Sequence, residues 1–159
     1  MHRIILLTGS NQGNCLNNIT EAANYISAKI GTISKQSSVY KTAPWGNTNQ
    51  QYFLNQVLDV LTTKTAEQVL ENLLSIEQKM GRVRLQKWAA RTIDIDILFY
   101  DNTILQQANL QIPHPLLHLR KFTLLPLLEI APELIHPVLK KDIKQLLIEC
   151  PDTGVVEKM

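Results

Sequence analysis

The chain reads as an α+β protein: a ferredoxin-like βαββαβ core with an antiparallel sheet, extended by a C-terminal hairpin and helical appendage. Three observations predict it. Apolar periodicity changes along the chain in the order strand, helix, strand, strand, helix, strand. Both helical stretches carry one apolar stripe, so each covers a sheet face instead of being surrounded. Residues 52–62 are apolar on both alternating faces, as a strand at the centre of the sheet requires. In this arrangement both helices lie on one face.

Each element has its own signal. Residues 3–8 (RIILLT) are β-branched and leucine-rich, and Gly9-Ser10-Asn11 ends them as a turn after a buried strand. Leu16, Ile19, Ala23, Ile26 and Ile30 recur at helical spacing, with Gly31 following as a candidate C-cap. Residues 32–40 (TISKQSSVY) mix β-branched and hydroxyl side chains and predict one less buried strand. A loop over residues 41–51, punctuated by Pro44 and Gly46, leads to the central strand. Thr65 and Gln68 form a capping box for a helix whose stripe is Val69, Leu70, Leu73, Leu74 and Met80, and Gly81 ends it. Ile93, Ile95, Ile97 and Phe99 then mark one face of a strand, with Asp94 and Asp96 on the other. Asp101-Asn102 predicts a turn into a hairpin near Leu105. An apolar segment over residues 122–128 follows, and Asp142 is placed to cap a last short helix carrying Ile143, Leu146 and Leu147.

Bulk properties narrow the function. A 159-residue chain, 45% hydrophobic and 19% charged, predicts a single domain over residues 1–159. A net charge of +2 is too small for nucleic-acid binding by overall charge, so any basic function is local. The apolar run at residues 4–7 is too short for a signal-peptide core or a membrane span, which predicts a soluble, cytoplasmic protein without membrane attachment. Cys15 and Cys150 are far apart in sequence and are expected as two free thiols in a reducing compartment.

The chemistry concentrates in residues 79–96. Lys79, Arg82, Arg84, Lys87 and Arg91 fall within thirteen residues that hold no Asp or Glu, and Asp94 and Asp96 follow at once. Alternate residues of a strand share a face, so the two aspartates sit roughly 6–7 Å apart at the backbone. That is close enough to share divalent cations, and carboxylate oxygens favour Mg²⁺ completed by water and substrate phosphates. A solvated strand face with two acids is the alternative. Guanidinium forks suit phosphate, so Arg82, Arg84 and Arg91 read either as a phosphate clamp or as a solubilising loop. Trp88, inside that loop, is either a core anchor or a lid over an aromatic ligand. Phe53 and Asn55 share a strand face, and the Asn55 amide is suited either to the edge of a heterocycle or to a structural bond. His114, held between Pro113 and Pro115, is either aimed at a phosphate or a turn residue. No Walker-type phosphate loop is present.

Taken together, these segments resemble the 6-hydroxymethyl-7,8-dihydropterin pyrophosphokinase family of folate biosynthesis. The matching pieces run in order through Gly9-Ser10-Asn11, the segment YKTAPWG at residues 40–46, Phe53-Leu54-Asn55, Glu77, Gly81-Arg82-Val83-Arg84, Trp88 and RTIDID at residues 91–96. They continue through Pro113-His114-Pro115, Leu117-His118, Arg120, Phe122, Pro126-Leu127 and EIAP at residues 129–132. The resemblance implies Mg²⁺-dependent transfer of pyrophosphate from ATP to the pterin hydroxymethyl group, releasing AMP. It implies two Mg²⁺ ions on Asp94 and Asp96, and Arg82 and Arg91 as phosphate-handling catalytic arginines. It places Thr42, Pro44, Phe53, Asn55, Trp88 and Phe122 around the pterin, with Glu77, Arg84, His114 and Arg120 along the ATP. It also implies small-molecule substrates, with no nucleic acid, membrane or obligate protein partner. Leu74 and Asn109 depart from the polar or basic nucleotide contacts of some members, and Phe53 from a tyrosine. Outside enzymes, a ferredoxin-like RNA-binding module is the rival, but paired aspartates on its sheet would repel RNA phosphates.

Overall fold

The computed structural model describes residues 1–43, 51–81 and 92–159. Its elements in chain order are β1 (His2–Ser10), α1 (Cys15–Lys29), β2 (Thr32–Gln36), β3 (Tyr40–Thr42), β4 (Phe53–Thr62), α2 (Ala66–Lys79) and β5 (Asp94–Tyr100). The appendage follows as β6 (Leu105–Gln107), β7 (Leu110–Ile112), a 3₁₀ turn (Leu117–Leu119), α3 (Lys121–Ile130), α4 (Ile143–Glu149) and β8 (Val156–Lys158). The main sheet runs β5-β1-β4-β3-β8, with β2 also paired to β4, and every pairing is antiparallel. β6 and β7 form the expected hairpin by themselves.

Two apolar cores lie on opposite faces of the sheet. Ile4 and Leu6 of β1, Leu58 and Val60 of β4, and Ile95 and Ile97 of β5 meet Ile19 and Ile26 of α1 and Val69, Leu73 and Ile76 of α2. Ile5 and Leu7, with Val57, meet Leu124 and Leu127 of α3 and Ile143 and Leu146 of α4. The period-2 alternation of β1 thus feeds both layers, and α3 and α4 of the appendage become a third layer across the sheet. Among the described residues, no helix is long and apolar enough to cross a membrane.

The local signals place the helix starts. Thr65 Oγ1 accepts from the Gln68 amide at 3.2 Å and Gln68 Oε1 accepts from the Thr65 amide at 2.9 Å, a complete capping box. Asp142 caps α4 by accepting from the Gln145 amide at 2.8 Å.

Three expectations about the strands need correction, and one strand was not expected. Residues 32–40 are two strands, not one: Gln36 faces Leu58 and Tyr40 faces Asn55, so residues 37–39 oppose only 56 and 57. Ser37 fills the break, its amide donating to the Val57 carbonyl at 2.9 Å and its hydroxyl accepting from the Val57 amide at 3.0 Å. Phe99 does not share the face of Ile93, Ile95 and Ile97, because β5 bulges: Leu6 faces Ile97 while Ile5 faces Phe99, leaving Leu98 extra and turning Phe99 into the α3/α4 core. Gly9 and Ser10 are still strand, since β1 keeps its pairing with β4 to Ser10. The C-terminal strand β8 lies along β3, a three-residue element too short to show a period.

Gly31 also has another reason than a cap. Its φ is not in the left-handed region, and a Cβ there would sit 2.0 Å from the Leu61 carbonyl oxygen. The glycine lets the α1–β2 connection touch the backbone of β4. Gly31→Ala is therefore expected to cost at least about 3 kcal/mol, because backbone, not a pliable side chain, must yield. Urea unfolding measures it, and an unchanged midpoint contradicts the contact.

Candidate active site

Register across three strands assembles the site. Directly opposed residues of antiparallel strands project to the same side. Asp94 faces Gly9, Gly9 faces Asn55 and Asn55 faces Tyr40, while Asp96 faces Leu7 and Thr42 faces Phe53. Asp94, Asp96, Asn55, Phe53, Tyr40 and Thr42 therefore all project to the face that carries α3 and α4.

Gly9 is the centre of this row. A Cβ at Gly9 would lie 2.6 Å from Asn55 Nδ2, so the amide of Asn55 occupies the room that a side chain on β1 would need. Leaning there, Asn55 donates from Nδ2 to the Thr8 carbonyl at 3.3 Å. Its Oδ1 is buried and has no hydrogen-bond partner among the described residues, and neither has the buried Thr42 Oγ1. Asn55 is 5% exposed and Thr42 8% exposed, so water does not readily satisfy these atoms. Two orphaned polar atoms on one face mark a place for a ligand with its own donors and acceptors.

At the other end of the row, Asp94 and Asp96 are half-buried on the edge strand. The loop before them is tied to the one after β1 through Thr92 Oγ1 and Gln12 Oε1 at 3.4 Å. His114 approaches Asp96, with Nε2 to Oδ2 at 3.9 Å, longer than a hydrogen bond. Its placement is built by backbone: its amide donates to the Leu98 carbonyl at 3.0 Å, and its Nδ1 accepts from the Leu116 amide at 3.1 Å. Burial pushes the His114 pKa down to about 4; the Arg120 charge adds to this and Asp94 opposes it. The ring is neutral at neutral pH, and with Nδ1 accepting, its proton is on Nε2. The histidine is thus a fixed ring whose Nε2 lies on the Asp96 side.

Phe122 is half-buried in the first turn of α3, with the Arg120 guanidinium 5.6 Å from its ring centre. α3 is pinned over the site at its other end by Glu129, whose carboxylate accepts from Tyr40 Oη at 2.8 Å and from the Ser38 amide and hydroxyl, each at 3.0 Å. Burial, helped by Glu129, pushes the Tyr40 pKa up to about 12. A cleft of about 510 Å³ opens beside the β5 edge, between Leu70 and Leu74 of α2 and Asn109 at the hairpin, with Asp96 and His114 on its wall. The departures noted in the sequence, Leu74 and Asn109, both line it.

Residues 5–132 match the family described as 7,8-dihydro-6-hydroxymethylpterin-pyrophosphokinase (HPPK). The chain belongs to this family. It is 38% identical over 145 residues to the 2-amino-4-hydroxy-6-hydroxymethyldihydropteridine pyrophosphokinase of Aquifex aeolicus, covering 91% of this chain and 90% of that one. The enzyme of the same name from Methylorubrum extorquens is 40% identical over 136 residues, covering 85% of this chain and 86% of that one. Among solved structures, wild-type Plasmodium falciparum HPPK-DHPS superposes with a TM-score of 0.75 over 94% of this chain, at 20% identity, a likeness of fold. This chain spans 43% of that longer one.

Of the residues that the HPPK resemblance singles out, Thr42, Phe53, Asn55, Asp94 and Asp96 come together on one sheet face. From the appendage, His114 comes within 3.9 Å of Asp96, and Arg120 and Phe122 stand beside each other at the start of α3. Glu77 lies behind β5, buried at the end of α2. Pro44, Arg82, Arg84, Trp88 and Arg91 lie outside the described residues. Reading the sequence missed Tyr40 and Glu129 as a brace, and it missed the closeness of Gly9 to Asn55. A glycine next to a strand of apolar residues was the available signal for that approach.

Proposed function

We propose that this chain, a pyrophosphokinase of folate biosynthesis, transfers the β,γ-pyrophosphoryl group of ATP to 6-hydroxymethyl-7,8-dihydropterin. The hydroxymethyl oxygen bonds to the β-phosphorus, the bond from that phosphorus to the α,β-bridging oxygen breaks, AMP leaves, and the hydroxyl proton passes to solvent. One observation carries this: the strand register that sets a carboxylate pair and a pair of orphaned buried polar atoms on the same sheet face, across Gly9.

The donor set fits Mg²⁺. Two half-buried carboxylates on alternate residues offer hard oxygens but too few of them for a closed site, which suits a cation that keeps water and takes substrate phosphates. Asp94 and Asp96 would hold it, with two ions as the expected number. When bound, Mg²⁺ neutralises and orients the polyphosphate. His114 donates from Nε2 to a phosphate oxygen, and Arg120 adds positive charge on the same side. Arg82 and Arg91 take the catalytic arginine roles and Arg84 an ATP contact. The cleft between α2 and the hairpin is of a size for the nucleoside and is lined mainly by apolar side chains. Phe53 and Phe122 flank the pterin, Thr42 Oγ1 and Asn55 Oδ1 take its polar edge, and Pro44 and Trp88 complete its enclosure. We assign the enzyme to the cytoplasm, as one domain over residues 1–159 acting on small molecules without an obligate protein partner.

The products test it. Incubated with ATP, Mg²⁺ and 6-hydroxymethyl-7,8-dihydropterin, the protein is expected to form AMP and pterin diphosphate in equal amounts by chromatography. Formation of ADP or free pyrophosphate instead overturns the reaction assignment.

A further inference from the structure

β5 is the edge of the sheet, so every second amide along it faces away from β1. The outward amide of Ile95 is met by Glu77, whose Oε2 accepts from it at 2.7 Å. Glu77 is only 3% exposed, near the end of α2. Glutamate is among the residues least often buried, and burying its charge is costly unless strong hydrogen bonds hold it. A short charge-assisted bond to one backbone amide is such a bond. That amide belongs to the residue joined covalently to Asp94 on one side and Asp96 on the other.

We propose that Glu77 is a positioning residue for the aspartate pair. Its carboxylate fixes the free edge of β5 at Ile95, and so sets the spacing and direction of the two carboxylates on the opposite strand face. An edge strand is held by a neighbouring strand on one side only, so a bond at Ile95 limits how far the residues on either side of it can shift. The role rests on Asp94 and Asp96 being the cation ligands.

Two variants separate anchoring from charge. Glu77→Gln keeps a carbonyl oxygen able to accept from Ile95, whereas Glu77→Ala removes the acceptor. In the metal-free protein, hydrogen exchange of the Ile95 amide, followed by NMR, is expected to quicken at least about tenfold in Glu77→Ala. In the same variant the half-saturating Mg²⁺ concentration is expected to rise roughly tenfold to a hundredfold while the pterin KM stays within about twofold, and Glu77→Gln is expected to stay within about threefold of the parent in all of these. Equal impairment of Gln and Ala assigns the role to charge and overturns the proposal. So does Glu77→Ala with unchanged Ile95 exchange or unchanged Mg²⁺ dependence. Should Glu77→Ala not fold, Glu77→Asp replaces it, since its shortened side chain withdraws the acceptor and is expected to behave as Ala does. Asp96→Asn in the same titration keeps the two questions apart: if it leaves the Mg²⁺ dependence untouched, the cation assignment fails whatever Glu77 does.

Discussion

Asp96→Asn is expected to lower kcat at fixed Mg²⁺ by at least about a thousandfold, or about 4 kcal/mol of transition-state stabilisation. Asparagine keeps the volume and one oxygen but removes the charge, so the loss reports electrostatics and not packing. The charge matters because the phosphates that must be drawn together are themselves negative, and a single remaining carboxylate cannot hold cations against water. The variant is also expected to lose the stabilisation that Mg²⁺ with nucleotide confers on the parent. Steady-state kinetics across a Mg²⁺ series, with melting curves on the same samples, give both readings. Activity within tenfold of the parent would remove Asp96 from the cation site.

Much of the fold was legible because its signals are local. The α2 helix is capped at Thr65 because two side chains three positions apart satisfy each other's amides, which neighbouring sequence alone decides. Asp94 and Asp96 share a face because alternation requires it. What escaped notice depends on partners distant in sequence. The bulges at Ser37 and Leu98 exist because β4 and β1 impose their register, and nothing in TISKQSSVY or DIDILFY announces an extra residue. Glu77 was placed along the ATP by resemblance alone, and its bond to Ile95 escaped notice because that amide is eighteen positions away on another element. The site divides along the same line. Residue types and spacing indicated polyphosphate and metal, but only the pairing of Gly9 with both Asp94 and Asn55 puts the carboxylates and the amide on one surface. Family resemblance supplied the pterin, which no periodicity encodes.

Asn55→Ala is the second large effect, and its interest lies in what it leaves alone. The side chain gives the fold little: one long bond of 3.3 Å from Nδ2 to the Thr8 carbonyl, set against a buried Oδ1 that has no partner among the described residues. Losing the bond and losing the orphan nearly cancel, so stability should change by no more than about 1 kcal/mol. Binding is another matter, because in the proposed site the same orphan becomes an acceptor satisfied by the pterin. Removing it, with the neighbouring amide donor, should cost about 2–3 kcal/mol of pterin affinity, or roughly 30-fold to 150-fold in KM. The nucleotide KM should hold, since the cleft beside α2 and the hairpin lies along the β5 edge, with β1 between it and β4. If Asn55→Ala destabilises the chain by several kcal/mol while the pterin KM holds, Asn55 is a structural residue and the pterin edge is read elsewhere.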